Sequence, residues 1–208
     1  MKPISPIRPI IKVCGMRDAH NISQVEELRP DWMGFIFWPK SSRYVSTFPE
    51  YLPIYTKRVG VFVDEDIEMV RQTAEDYALD IIQLHGHESP EYADRLHKWI
   101  VIKAISISNR NDIDIYKAYE GTVDYFLFDT KCKTVGGSGE HFDWTVLNDY
   151  DGETPFLLSG GISPDDVERV KAFCHPRCIG IDINSRFETA PGLKDIHQLK
   201  EFIKKIRL

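Results

Sequence analysis

Two side chains in this sequence stand where an apolar run stops and could move protons between them. The run 10–14 ends in the thiol of Cys14, and the run 123–128 ends at the carboxyl of Asp129. A thiol near positive charge or a helix N-terminus ionises more readily than a free cysteine. A carboxyl in an apolar or anionic setting holds its proton longer. Groups tuned toward neutrality in these two ways serve as general base and general acid. Each also has an ordinary reading: Cys14 as a small buried residue, Asp129 as a loop cap. Around them, at further run ends, lie His85 after 81–84, Arg43 in the loop after 32–37, and Asp182, Asn184 and Ser185 at the close of 178–183. Arg43 by itself reads equally well as a solvated loop residue.

A second feature is the stretch Phe156-Leu157-Leu158-Ser159-Gly160-Gly161-Ile162-Ser163. An apolar run meets two glycines, and a helix is expected to begin at Ser163, with Pro164 at its first position and Asp166 closing a capping box. Glycine permits close approach of backbone to ligand, and a helix N-terminus offers unpaired N–H groups to an anion. Gly160 and Gly161 therefore read as a phosphate seat or, without a ligand, as a tight turn.

The elements that must position these residues repeat along the chain. Apolar, β-branched runs occur at 10–14, 32–37, 59–63, 81–84, 99–105, 123–128, 156–158 and 178–183. Amphipathic segments at 21–28 and 67–77 lie between runs, and 196–206 reads as a closing helix. Near-continuous apolar strands fit a parallel sheet covered on both faces. Eight βα units favour a single (β/α)8 barrel spanning 1–208 over an open doubly wound sheet. No G-x-G-x-x-G follows the first run, and no G-x-x-x-x-G-K-[ST] occurs. In such a barrel the chemistry sits at the C-terminal strand ends, where all the residues above fall.

Composition narrows the partners. The net charge is −6 with no Lys/Arg block, which argues against nucleic acid. The cysteines Cys14, Cys132, Cys174 and Cys178 form no disulfide framework. No apolar run approaches the roughly 20 residues that span a bilayer, and residues 1–9 lack a signal-peptide core. A cytoplasmic protein with no membrane partner is the expectation.

Several motifs together resemble the phosphoribosylanthranilate isomerase family. They are Lys12-Val13-Cys14-Gly15-Met16, Gly34-Phe35-Ile36-Phe37 with Ser41-Ser42-Arg43-Tyr44, and Val59-Gly60-Val61-Phe62-Val63. Gln83-Leu84-His85-Gly86, Asp129-Thr130, Gly136-Gly137-Ser138-Gly139 and Phe142-Asp143-Trp144 continue the series. It ends with Leu158-Ser159-Gly160-Gly161-Ile162, Asp182-Ile183-Asn184-Ser185, Glu188 and Pro191-Gly192-Leu193-Lys194-Asp195. The resemblance implies a cofactor-free, metal-free Amadori rearrangement of a phosphorylated aminoaldose. It implies Asp129 as the acid that opens the furanose and Cys14 as the base at C2. Arg43 would hold the anthranilate carboxylate, His85 and Asp182 would line the substrate pocket, and Gly160, Gly161, Asn184 and Ser185 would hold phosphate. The assembly is expected to be a monomer or homodimer. Alternatives are another phosphate-binding barrel enzyme, such as the indole-glycerol-phosphate lyase or a sugar-phosphate isomerase or epimerase. Arg186 and Arg17 depart from the family pattern. Arg17 either lowers the Cys14 pKa or lies on the surface. Cys132 is the rival thiol. Zinc at Cys174-His175-x-x-Cys178 lacks a second ligand pair, and His85-Gly86-His87-Glu88 reads as a strand-end turn rather than a metal site.

Overall fold

The structure is a computed structural model and describes residues 8–130 and 144–208. The readings placed on Cys132, Gly136–Gly139, Phe142 and Asp143 lie outside the described residues. Eight parallel strands close in sequence order into a barrel. They are β1 (Ile10–Val13), β2 (Trp32–Ile36), β3 (Lys57–Phe62), β4 (Ile81–Leu84), β5 (Ile100–Ile107), β6 (Tyr125–Thr130), β7 (Phe156–Ser159) and β8 (Cys178–Ile183). Closure is made by β1 against β8, with Lys12 beside Asp182 in the register. The (β/α)8 class read from the sequence is the class observed.

Strand residues alternate between two apolar environments, as the period of two requires. One set, Trp32, Val59, Ile81, Ile102, Leu127 and Leu157, forms a cluster of its own. The other, including Ile11, Val13, Met33, Phe35, Phe126 and Phe128, packs with helical residues such as Leu199, Phe202 and Ile203. Burying both faces is what makes these strands read as continuous apolar runs.

The covering helices are α1 (Ala19–Glu27), α2 (Ile67–Asp76), α3 (Pro90–Asp94), α4 (Val167–Ala172) and α5 (Ile196–Arg207). Side chains of Asp18, Asp66, Ser89 and Asp195 accept backbone N–H groups at the starts of α1, α2, α3 and α5. The helix expected at Ser163 begins as a 3-10 turn, Pro164–Asp166, and becomes α-helical at Val167. The capping role of Asp166 holds: its carboxylate accepts from Ser163 N at 2.8 Å and from Ser163 Oγ at 2.7 Å. Beyond β8 a 3-10 turn, Ser185–Phe187, leads into an antiparallel hairpin, β9 (Glu188–Ala190) with β10 (Leu193–Lys194). No periodic signal in the sequence announced that hairpin.

The connection from β2 to β3, residues 37–56, contains no helix. A single carboxylate organises its last turn. Glu26 Oε1 accepts backbone N–H groups of Ile54 and Tyr55 at 2.7 Å and of Thr56 at 3.2 Å, while Oε2 accepts from the Tyr51 hydroxyl. Burial alone raises the Glu26 pKa, but the Tyr51 and backbone bonds outweigh it and hold the carboxyl below its usual range. Replacing Glu26 with Ala is expected to cost about 2 kcal/mol, since charge-assisted bonds are lost and the exposed Ile54 and Tyr55 regain water in compensation. A folded pKa below the unfolded one stabilises above the unfolded value and ceases to do so as pH falls through the folded value. Urea unfolding of wild type and variant should therefore diverge at neutral pH and converge in acid.

Candidate active site

The cavity at the C-terminal strand ends has a volume of about 190 Å³ and is lined by Cys14, Gln83, His85, Asp129, Ser159, Gly160, Gly161, Asp182, Asn184 and Ser185, with Ile36, Val61 and Ile162. One concave surface thus unites nearly all the residues that the strand-end rule selected. Arg43 is not part of that lining but reaches its edge, since a Cβ on Gly15 would lie 2.6 Å from Arg43 Cδ and 2.7 Å from Asn184 Oδ1. A larger cavity of about 720 Å³ adjoins it, sharing Ile36, Val61 and His85 and adding Trp38, Ile115 and Tyr119. A still larger depression, about 1000 Å³, lies at the other end of the barrel among Arg8, Asp31, Trp32, Tyr55 and Lys57. That end of a (β/α)8 barrel carries stability rather than chemistry, so size does not locate the site here.

Cys14 is held by the strand ends themselves. Its N–H donates to Ile183 O at 2.9 Å, and the N–H groups of Gly15 and Met16 both donate to Gly34 O at 2.9 Å. A Cβ on Gly34 would lie 2.7 Å from Cys14 Sγ, so the missing side chain is the space the sulfur occupies. Burial pushes the Cys14 thiol above its ordinary value, Lys12 and Lys194 oppose the rise, and Asp182 adds to it. The lowering anticipated from nearby positive charge is present but outweighed by burial. Arg17 is engaged elsewhere: Nη1 donates to Ser42 O at 3.1 Å and Nη2 to Pro191 O at 2.9 Å, clamping two loops together.

Asp129 faces His85, with Oδ2 3.7 Å from Nε2. Gln83 Nε2 lies 3.0 Å from His85 Nδ1, and the other ring nitrogen, Nε2, is the one turned toward Asp129. Asp182 lies deeper. Its Oδ1 accepts from Lys12 Nζ at 2.9 Å and its Oδ2 from Ser159 Oγ at 3.3 Å.

Arg43 forms a two-pronged pair with Glu188: Nε lies 2.9 and 3.0 Å from Oε1 and Oε2, and Nη2 lies 2.6 Å from Oε2. Glu188 also accepts from Lys194 Nζ at 2.6 Å, and Lys194 reaches Asn184 Oδ1 at 2.7 Å. Burial raises Glu188, but these two cations hold its carboxyl below the usual range. The network fixes the guanidinium and, among the described residues, leaves Nη1 with only a 3.4 Å contact, to Ser42 Oγ.

Gly160 and Gly161 have φ of 95° and 66°. A Cβ at Gly161 would meet nothing within 4 Å, so conformation and not crowding calls for glycine there. Successive backbone N–H groups in such a turn form an anion cradle. Arg186 is exposed on the turn beside Ser185.

Lys12, Gln83, Ser159, Glu188 and Lys194 were not assigned roles from the sequence. The signal available for Lys12 and Gln83 was a polar residue inside an apolar strand, on the face shared with Cys14 and His85. Lys103, inside β5, lies 2.8 Å from Glu88 Oε2 and donates to Gly86 O at 2.6 Å. His175 has both ring nitrogens engaged, Nε2 with Tyr150 O and Nδ1 with Arg177 N, each at 3.1 Å. Among the described residues no group of three or more His, Cys, Asp or Glu could hold a metal ion, and no helix is long and apolar enough to cross a membrane.

Residues 11–205 match the family model for N-(5'-phosphoribosyl)anthranilate (PRA) isomerase. The chain is similar to the N-(5'-phosphoribosyl)anthranilate isomerase of Parabacteroides distasonis, 51% identical over 95% of this chain and 93% of that one. It is 40% identical to that of Caldanaerobacter subterraneus subsp. tengcongensis over 95% of this chain and 97% of that one. Among solved structures, phosphoribosyl anthranilate isomerase from Thermotoga maritima superposes with a TM-score of 0.82 at 34% identity, covering 94% of this chain and 97% of that one. A phosphoribosyl anthranilate isomerase in complex with reduced 1-(o-carboxyphenylamino)-1-deoxyribulose 5-phosphate superposes at 0.79 with 32% identity and the same coverage.

Proposed function

The chain belongs to the N-(5'-phosphoribosyl)anthranilate isomerase family and carries out that family's Amadori isomerisation in tryptophan biosynthesis, and from this premise we propose that Cys14 is its general base and Asp129 its general acid. The observation that carries the assignment is the shared cavity: sulfur, carboxyl, double-glycine turn and Asn184-Ser185 all line one pocket of about 190 Å³.

The steps follow from these positions. Asp129 gives its proton to the furanose ring oxygen as the C1–O bond breaks, and the anilino nitrogen lone pair forms the C1=N Schiff base. The Cys14 thiolate takes the proton from C2, and the electron pair left behind forms the C1=C2 enolamine. C1 then gains a proton as the C2 hydroxyl loses one, giving the ketone. No atom is gained or lost. Gly160, Gly161, Asn184 and Ser185 hold the phosphate, and that remote binding energy keeps C1 and C2 between sulfur and carboxyl. His85 presents Nε2 to Asp129 and supports the carboxylate left after ring opening. Asp182 forms the floor.

Arg43 receives the anthranilate carboxylate on its Nη1 edge, the Nε edge being turned to Glu188. The Glu188 pair makes the guanidinium a fixed fork, which a lysine cannot reproduce. Arg43→Lys is expected to raise KM for phosphoribosylanthranilate about 10-fold to 100-fold, since a charge-assisted bond is worth about 1.5–3 kcal/mol. Steady-state kinetics, following the loss of substrate fluorescence, tests this. An unchanged KM would remove Arg43 from the substrate site.

The barrel is proposed to act as one domain over 1–208, in line with the closing pair β1–β8. A cytoplasmic location and a monomer or homodimer complete the reading. The last rests on a relative from Thermotoga maritima described as dimeric, of which monomers were generated. The phosphorylated ligand is supported by the complexed relative.

A further inference from the structure

Lys12 is the most deeply buried cation among the described residues, with no exposed surface at all. A lysine so placed needs a specific reason, because an ammonium without a partner is costly to bury. Part of the reason is Asp182, its neighbour across the β1–β8 pairing, whose Oδ1 lies 2.9 Å from Nζ. Buried ion pairs are often replaceable by apolar residues with little loss of stability, so stability is a weak reason for a charge there.

The location of Lys12 gives a stronger one. Lys12 and Cys14 are two residues apart on one strand and so face the same side of it. Asp182 and Cys14 line the same cavity. Among the described residues, Lys12 from β1, Asp182 from β8, Arg43 from the loop after β2 and Lys194 from the β9–β10 hairpin act on the sulfur, Glu188 pairs with the last two, and His85 and Asp129 stand across the cavity. Lys12 is paired with Asp182, while Arg43 and Lys194 share the one carboxylate of Glu188. Apart from His85 and Asp129 across the cavity, the three cations and two carboxylates therefore carry one positive charge in excess. Loss of the Cys14 proton would bring them to neutrality.

We propose that Lys12 is the positioning residue that makes Cys14 a base: its ammonium, fixed by Asp182, supplies the positive charge against which the thiolate forms. This rests on the reading of Cys14 as the general base. The same electrostatics appears in the mutual influence of the two groups: burial raises the thiol, and Lys12 is the strongest influence opposing it. Ser159 assists by donating to the second Asp182 oxygen, keeping the first turned to Lys12. When the sulfur takes the C2 proton, the ammonium keeps Asp182 as its partner and no buried charge is left unpaired.

The test measures alkylation of Cys14 by iodoacetamide as a function of pH, followed on the Cys14 peptide by mass spectrometry so that the other cysteines do not contribute. Lys12→Met alone leaves Asp182 buried and unpaired, so the double variant Lys12→Met/Asp182→Asn is made beside it, with Asp182→Asn alone as its reference. In the single variant against wild type, and in the double variant against Asp182→Asn alone, the Cys14 reactivity midpoint is expected to rise by about one to three pH units. Neutral-pH kcat/KM is expected to fall about tenfold for each unit, recovering as pH is raised. A folded double variant whose alkylation profile overlays that of Asp182→Asn overturns the proposal, even if turnover is lost. Alkylation involves no substrate, so its outcome is separate from the base assignment itself, which is judged by turnover in Cys14→Ala.

Discussion

Replacing Asp129 with Asn is expected to lower kcat for phosphoribosylanthranilate by about 10²- to 10⁴-fold, the usual contribution of a general acid. The effect should be large because ring opening precedes every later step. An amide retains the shape of the carboxyl but has no proton acidic enough to give to the ring oxygen. The Asp129 side chain is one-fifth exposed at a strand end, so the substitution leaves the barrel core intact. KM should stay within a few-fold, because the phosphate and the anthranilate carboxylate are held by other residues. A loss shared equally between kcat and kcat/KM is the signature of an interaction made only in the transition state. Steady-state kinetics with a circular-dichroism check on folding decides the matter, and near-wild-type kcat would remove Asp129 from the acid role.

Cys14→Ala should be as severe, again about 10²- to 10⁴-fold in kcat, for a different reason. Ring opening can still occur, but the Schiff base then has no group to take the C2 proton. Substrate deuterated at C2 gives a way to see this. The wild type should show a primary isotope effect to whatever extent proton abstraction limits turnover. In Cys14→Ala the slow residual reaction should be limited by that abstraction. Substituting Cys14 by Ser offers little rescue, since a hydroxyl is a much weaker acid than a thiol and forms far less of its conjugate base near neutrality. Full activity in Cys14→Ala, with loss in Cys132→Ala, would transfer the role to the other thiol.

The strand ends were legible because buried parallel strands leave a plain trace: apolar runs that stop at a polar residue. That trace gave the barrel, and with it Cys14, His85, Asp129, Gly160 and Asp182 as one set. Three kinds of feature left no such trace. The β2–β3 connection owes its shape to Glu26, whose partners at Ile54, Tyr55 and Thr56 lie 28 to 30 residues away. Lys12 and Asp182 are separated by 170 positions, and only closure of the barrel makes them neighbours. Arg43 and Glu188 lie 145 apart, joined by a hairpin too short to show a period. Local pattern predicts elements. It does not predict which charges those elements bring together, so Arg43 was assigned to the substrate without its carboxylate partner, and Lys12 was passed over.

A crystal structure of this chain with reduced 1-(o-carboxyphenylamino)-1-deoxyribulose 5-phosphate tests the assignments most directly. Phosphate is expected on the Gly160-Gly161 and Asn184-Ser185 backbone, and Cys14 Sγ about 3.5 Å from C2. An Asp129 oxygen is expected about 3 Å from the hydroxyl that had been the ring oxygen. A ligand lying the other way round, with C2 out of reach of the sulfur and that hydroxyl out of reach of Asp129, would contradict these assignments.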